Sequence, residues 1–398
     1  MAEAKGKIAI ASCPDKVNFG SVLQSWATER AISALGYEAL TIDKRGLGPE
    51  IGRGRRLYYA EHLLDLSLYR AKLGFVGHRV RQKVNGEFGR RMAERHATFS
   101  VFEEGRFAYT PRATTFAELA KSVSSCETVV VGSDQLWLPV NIAGGYFTLE
   151  WVEPPVRRVS YATSFGVSEL SDKYMRRTAG FLEGFAAVSV REDTGADIVE
   201  RACGSRPTVV CDPTMLLAAD DYRRELVDPA YAVPSEPYVF CYFLGRNVWN
   251  RECAKELARA AGCKIVAIAH PDEYVTYDDG YADIYPWSAG PAEWVSLLAG
   301  ARYVCTDSFH GSVFSTIFNV PFFTFRRHEG MGSQSTNSRL DTLLTRIGAQ
   351  ERLCETPETF RVAMAQEVDW TSVNENVAAY RAESRAWLEA ALSGEGVA

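Results

Sequence analysis

The chain has nine cysteines but no C-x-x-C pair, six histidines but no H-x-x-H or H-E-x-x-H, and no Asp-rich triplet. Those absences remove the common metal-site frameworks. An odd, scattered cysteine set reads as reduced thiols, not a disulfide scaffold. A G-x-S-x-G elbow and a G-x-x-x-x-G-K-[ST] loop are also missing, which removes the standard hydrolase and P-loop readings. No apolar run approaches about 18 residues, so no transmembrane helix is expected. The short apolar run after Lys7 falls below the apolar region of a signal peptide, and a cytoplasmic protein is expected. Positive charge is not in excess: 44 Lys+Arg against 50 Asp+Glu give −6, which argues against general nucleic-acid binding.

What is present is ordinary in composition, with 46% hydrophobic and 24% charged residues. A length of 398 residues favours two domains. Strand patterns at Ile8–Ser12, Glu38–Ile42, Thr128–Val131, Arg158–Thr163, Ala187–Val190 and Thr208–Cys211 alternate with helical ones. Such alternation predicts a parallel sheet covered on both faces. An Asp- and Pro-rich break near Ala219–Pro237 precedes a second α/β series that begins at Tyr238. The expected architecture is α/β, with two Rossmann-like domains facing a central cleft. Residues 1–225 form the first domain and 226–398 the second. The terminal helical pattern Asn374–Leu392 is expected to pack back on the first domain.

Residues 44–106 hold 14 Lys+Arg but only 7 Asp+Glu, so a helical insert of about +7 interrupts the first domain. It reads as amphipathic helices with solvated basic faces, or as a surface meeting an anionic acceptor or the inner membrane leaflet. Leu57, Leu63, Leu64, Leu66, Leu68 and Leu73 suit packing on a neighbour.

The segment Thr306-Asp307-Ser308-Phe309-His310-Gly311 lies between a strand pattern and a helical one. His310 therefore occupies a strand-to-helix corner, where ligand sites of α/β folds gather. Helix N-terminal N–H groups there favour anions. One imidazole in that setting points to acid–base chemistry on a phosphorylated or carboxylated substrate.

Other loops leave predicted strands with polar residues. Asn18 and Gly20 follow the first strand, where Asn18 caps and Gly20 permits close backbone approach. Ser133 and Asp134 follow the third, with Asp134 a catalytic candidate. Arg191 ends Ala187–Val190 and offers a bidentate grip on carboxylate or phosphate. Asp212 reads as a cap before Pro213. Arg326, Arg327 and Arg339 flank a Gly/Ser-rich loop and make a candidate anion cradle with Ser308 and Gly311. The run Tyr277-Asp278-Asp279-Gly280 reads as a surface turn, and no metal site is expected. Trp137, Trp151, Trp249, Trp287 and Trp294 are candidate sugar-stacking platforms, although core packing is the commoner use of tryptophan.

In order along the chain, several segments resemble the polysaccharide pyruvyl transferase family. They are Asn18-Phe19-Gly20-Ser21, Val131-Gly132-Ser133-Asp134-Gln135-Leu136-Trp137, Tyr161-Ala162-Thr163-Ser164-Phe165-Gly166, Val190-Arg191-Glu192, Asp212-Pro213-Thr214, Asp307-Ser308-Phe309-His310-Gly311 and Asn337-Ser338-Arg339. The resemblance implies a GT-B-like fold and transfer of pyruvate from phosphoenolpyruvate to saccharide hydroxyls as a ketal, with no cofactor besides that donor. It implies His310 as general acid and Arg191 as a donor-binding residue. Some family members carry Arg-Leu before the histidine where this chain has Ser308-Phe309, so Arg326, Arg327 or Arg339 is expected to replace the missing cation. The expected partners are phosphoenolpyruvate and a saccharide acceptor, either free or, in view of the basic insert, lipid-linked. Two other readings share the architecture: a GT-B glycosyltransferase using a nucleotide sugar, and a non-catalytic glycan- or partner-binding protein.

Overall fold

A computed structural model describes residues 4–63, 77, 80–228, 231–270, 274–327 and 338–395. The Glu329–Asn337 part of the candidate cradle lies outside the described residues. Eleven strands are described: β1 (Lys7–Ala11), β2 (Glu38–Thr41), β3 (Thr128–Val131), β4 (Arg157–Thr163), β5 (Ala187–Val190), β6 (Thr208–Val209), β7 (Tyr238–Tyr242), β8 (Lys264–Ile268), β9 (Tyr303–Thr306), β10 (Phe322–Phe325) and β11 (Leu353–Cys354). They form two parallel sheets, ordered β2-β1-β3-β4-β5-β6 and β11-β10-β9-β7-β8. The inner strands β3 and β7 are mostly apolar because helices cover both faces, and every residue of each is buried.

Both sheets use the same winding. The chain moves outward from β1 to β2, then crosses back to β3; it does the same at β7, β8 and β9. Each order reversal opens a crevice at the carboxyl ends of the strands, where ligands of doubly wound sheets bind. The two crevices face one another, giving a GT-B-like pair of Rossmann-like halves around one cleft.

A shared hydrophobic core holds the halves together. Helix Phe19–Ala34 is buried on nearly every side, so it shows little amphipathic character. Phe19 stacks on Trp294 at 5.8 Å and meets Tyr242 edge-on at 5.7 Å, which joins the first half to the second. Phe240 and Phe314 also pack edge-on against Trp294. The terminal helix Trp370–Ser393 lies against the first half: Cys211 N donates to Ser384 Oγ at 2.9 Å, and Trp387 approaches Tyr161 at 6.1 Å.

Two described helices of the basic insert divide its work. Helix Gly48–Glu61 packs on helix Pro139–Gly144 of the first half, while Gly86–Arg106 crosses to the second. Fully buried Arg95 donates to Ala269 O at 2.8 Å and Trp287 O at 3.3 Å. The expected packing of Leu57 and Leu63 is corrected, because they are 62% and 66% exposed. That helix turns Tyr58 inward and sets Gly54 against the Ala143 carbonyl, which leaves Leu57 outside. Leu64, Leu66, Leu68 and Leu73 lie outside the described residues. No helix among the described residues is long and apolar enough to cross a membrane.

Because Trp294 is fully buried where both halves meet, Trp294→Ala is expected to cost about 3–5 kcal/mol. Urea unfolding checks this: the wild type should unfold in one transition and the variant at clearly lower urea.

Candidate active site

Four strand ends of the first half supply polar groups to the cleft. After β1, Asn18 caps helix Phe19–Ala34 by accepting from Ser21 N at 3.1 Å. After β3, Asp134 adopts φ 81°, a left-handed backbone that Asp tolerates better than most residues. Its carboxylate accepts from Ser21 Oγ at 2.6 Å and faces Arg191 Nη2 at 3.5 Å. After β5 comes Arg191, and after β6 comes Asp212.

Asp212 is the hub of this cluster. Its Oδ2 accepts from Arg191 Nη1 at 2.7 Å and Ser133 Oγ at 3.2 Å, while Oδ1 accepts from Thr214 N and Oγ1 at 3.0 and 2.7 Å. Burial alone would raise the Asp212 carboxyl, but His310 and Arg191 outweigh it and hold it well below the usual carboxylate range. Asp134 behaves alike: burial opposes, yet Arg191, Lys16 and His310 hold it low. Such carboxylates are counter-ions and weak bases. Glu192 differs, since burial dominates and pushes it up despite Arg191 and Arg339.

The second half contributes His310. Ser308 caps helix Phe309–Ile317 by accepting from Gly311 N at 3.4 Å. Asp307 accepts from the N–H groups of Leu244 and Gly245 at 2.6 and 2.8 Å, which ties the β7 and β9 loops together. His310 Nε2 is buried and lies 3.6 Å from Asp212 Oδ2. On the other side of the ring, a Cβ on Gly20 would fall 2.1 Å from Nδ1. Only glycine at position 20 lets the two helix starts meet around the imidazole.

The cleft above this network has a volume of ≈ 340 Å³, with Lys16, Ser21, Asp134, His310, Arg327 and Arg339 in its lining. Family comparison adds the decisive observation: the model of the polysaccharide pyruvyl transferase family matches residues 18–329. The chain belongs to the polysaccharide pyruvyl transferase family. No match is found among curated proteins. Solved structures similar to the chain include UDP-GlcNAc 2-epimerase from Methanocaldococcus jannaschii, at 11% identity and TM-score 0.48, covering 91% of this chain and 92% of that one. The Neisseria meningitidis UDP-GlcNAc 2-epimerase has 9% identity and TM-score 0.47, covering 97% of each chain. MurG from Acinetobacter baumannii has 10% identity and TM-score 0.42, covering 97% and 99%.

For this family member, the residues expected to act in catalysis (His310 and Asp134) or to bind the donor separate into three groups. His310, Asp134, Asn18, Ser308, Arg327 and Arg339 line the cleft. Ser133, Arg191, Gly20 and Gly311 lie beneath or beside it. Ser133 and Arg191 serve Asp212, and the Gly311 N–H is taken by Ser308 instead of facing an anion. Arg191 is 2% exposed with Phe309 stacked over it at 4.5 Å, so its grip goes to carboxylates of the protein. Arg326 points away, paired with Asp341 at 3.0 Å and with Glu355. Sequence reasoning overlooked Lys16 and read Asp212 as a simple cap. Asp212 does cap Thr214; only the fold shows that it also meets His310. Among the described residues no cluster of His, Cys, Asp and Glu is suited to a metal.

Removing the Asp212 charge takes from fully buried Arg191 its nearest carboxylate, so Asp212→Asn is expected to cost about 3–5 kcal/mol at pH 7. The folded carboxyl titrates below its unfolded value, so its stabilisation is complete above the ordinary carboxylate range and declines as pH falls beneath about 4. Urea midpoints at pH 7 and pH 3 check this, and the gap between variant and wild type should narrow at pH 3.

Proposed function

We propose that the chain transfers the pyruvyl group of phosphoenolpyruvate to paired hydroxyls of a saccharide, forming a ketal and releasing phosphate. The observation that carries the reading is His310, backed by Asp212, on the floor of a cleft lined by Lys16, Arg327 and Arg339. Phosphoenolpyruvate has a carboxylate and a phosphate, so it needs several cations at once. Arg339 suits that need. Burial, and next the neighbouring Arg191, push its guanidinium down to about 9. It stays charged at neutral pH at a cost in free energy, which a bound anion relieves. Arg339 and Arg327 thus take the place of the arginine that Ser308 replaces.

His310 gives a proton to C3 of the enol, which becomes the methyl group, and positive character develops at C2. One saccharide hydroxyl bonds to C2, the bond from C2 to the phosphate oxygen breaks, and a second hydroxyl closes the ketal. Two hydroxyl protons are released: one restores His310 and the other leaves with phosphate. Asp212 stabilises the imidazolium before transfer and keeps the ring oriented. Asp134, as counter-ion to Arg191, keeps the floor of the cleft from becoming strongly cationic.

General acid catalysis is worth about 10²–10⁴ in rate. His310→Ala is therefore expected to lose at least about 10²-fold in phosphate release from phosphoenolpyruvate plus acceptor, while thermal stabilisation by the donor persists. Gly20→Ala should behave similarly by displacing the ring. Arg339→Gln should instead abolish the thermal shift. Stabilisation by UDP but not by phosphoenolpyruvate would favour a nucleotide-sugar donor.

A further inference from the structure

A second cavity, ≈ 350 Å³, opens where the basic insert meets the second half. Its volume falls within the range of small-molecule sites, roughly 300–1,000 Å³. Four aromatic rings, Phe88, Tyr274, Tyr285 and Trp287, stand in its wall among charged residues. Phe88 meets Trp287 edge-on at 6.0 Å, Trp287 stacks on Tyr285 at 5.8 Å, and Phe88 meets Tyr274 at 6.4 Å. All four rings are half-buried, unlike the fully buried Trp137 and Trp294.

The charges around these rings are already matched. The Arg81 guanidinium lies over Tyr274, 3.4 Å from the ring centre, and its Nη2 stands 3.8 Å from Asp279. Arg91 is paired with Glu87 and sits 5.0 Å from the Trp287 ring. Asp278 is tied to Arg251. Among the described residues that line the cavity each guanidinium has a carboxylate partner, and Arg95 behind Trp287 is held by backbone carbonyls, so phosphate or carboxylate ligands gain less here than in the cleft of His310. Half-buried ring faces bordered by guanidinium and carboxylate groups instead match a neutral sugar. The rings take its C–H face, and the planar charged groups bond adjacent hydroxyls in pairs.

The cavity is a built feature that lies next to the cleft. Arg95 holds both of its arms through Ala269 O and Trp287 O. His270 lines the cavity and its Nε2 lies 3.1 Å from Leu244 O, while Leu244 lines the catalytic cleft. The contact of His270 with Leu244 thus forms part of the wall between the two spaces.

We infer that this cavity is a saccharide subsite that holds one neutral sugar unit of the acceptor while a neighbouring unit presents its hydroxyls to His310. The inference rests on the saccharide-acceptor reading above. It also explains the basic insert, whose arginines shape this wall.

Saturation-transfer NMR with lactose, cellobiose, chitobiose and mannobiose tests the inference without requiring turnover. At least one disaccharide is expected to bind both the wild type and His310→Ala, with Kd raised tenfold or more in Trp287→Ala. Phosphoenolpyruvate should stabilise Trp287→Ala as it does the wild type, which shows that the variant is folded. Should Trp287→Ala fail to fold, Tyr274→Ala at the rim carries the same expectation. Binding of none of the four sugars to the wild type, or an unchanged Kd in the folded variants, overturns the subsite. The donor is read separately from its thermal shift on the wild type, so a wrong donor and a wrong subsite give different results.

Discussion

Everything at the candidate active site turns on one buried carboxylate shared between the two halves. Asp212 follows β6, is bonded by Arg191, Ser133 and Thr214 of the first half, and lies 3.6 Å from the imidazole of the second. A charge this deep is costly unless it is paired and hydrogen-bonded. Here the pairing is supplied in part by a residue nearly 100 positions away in the chain, so docking the halves and positioning His310 are one event. In the proposed mechanism, stability and chemistry draw on the same contact.

The remainder of the fold supports that contact. Identical winding in the two sheets brings two strand-order reversals face to face. The aromatic core of Phe19, Tyr242 and Trp294 then fixes the distance between them. Gly20 removes the one atom that would keep the helix starts apart. What results is a cleft with fixed carboxylates on its floor and cations along its wall and mouth. In the proposed function this arrangement excludes a bare anion from the floor and receives it against Arg339, Arg327 and Lys16.

Much of this was legible in the sequence, and the exceptions share a cause. Buried parallel strands write themselves as short apolar runs, so the six strands of the first half were expected nearly where they occur; β11, only Leu353–Cys354, is too short to carry a period. His310 stood out because its corner is a local pattern. The identity of its partner was hidden, since Asp212 performs a local capping role that fully accounts for its place next to Pro213. Arg326 and Arg327 looked equivalent. They leave β10 on opposite sides, however, one toward Asp341 and the other toward Asp307. Which side faces the cleft is set by neighbouring strands. In the insert the charge was plain, but its destination was not: Arg95 reaches backbone carbonyls more than 170 residues away. The common winding of the halves left no sequence repeat, because apolar runs of many compositions build the same sheet.

Diffraction from crystals soaked with phosphoenolpyruvate tests the central claim most directly. The account predicts one donor molecule between the halves, its anionic groups within hydrogen-bond distance of Arg339 and at least one of Arg327 and Lys16, and its C3 facing the His310 ring. A donor bound elsewhere, or lodged in the cleft with C3 turned away from His310, would contradict it.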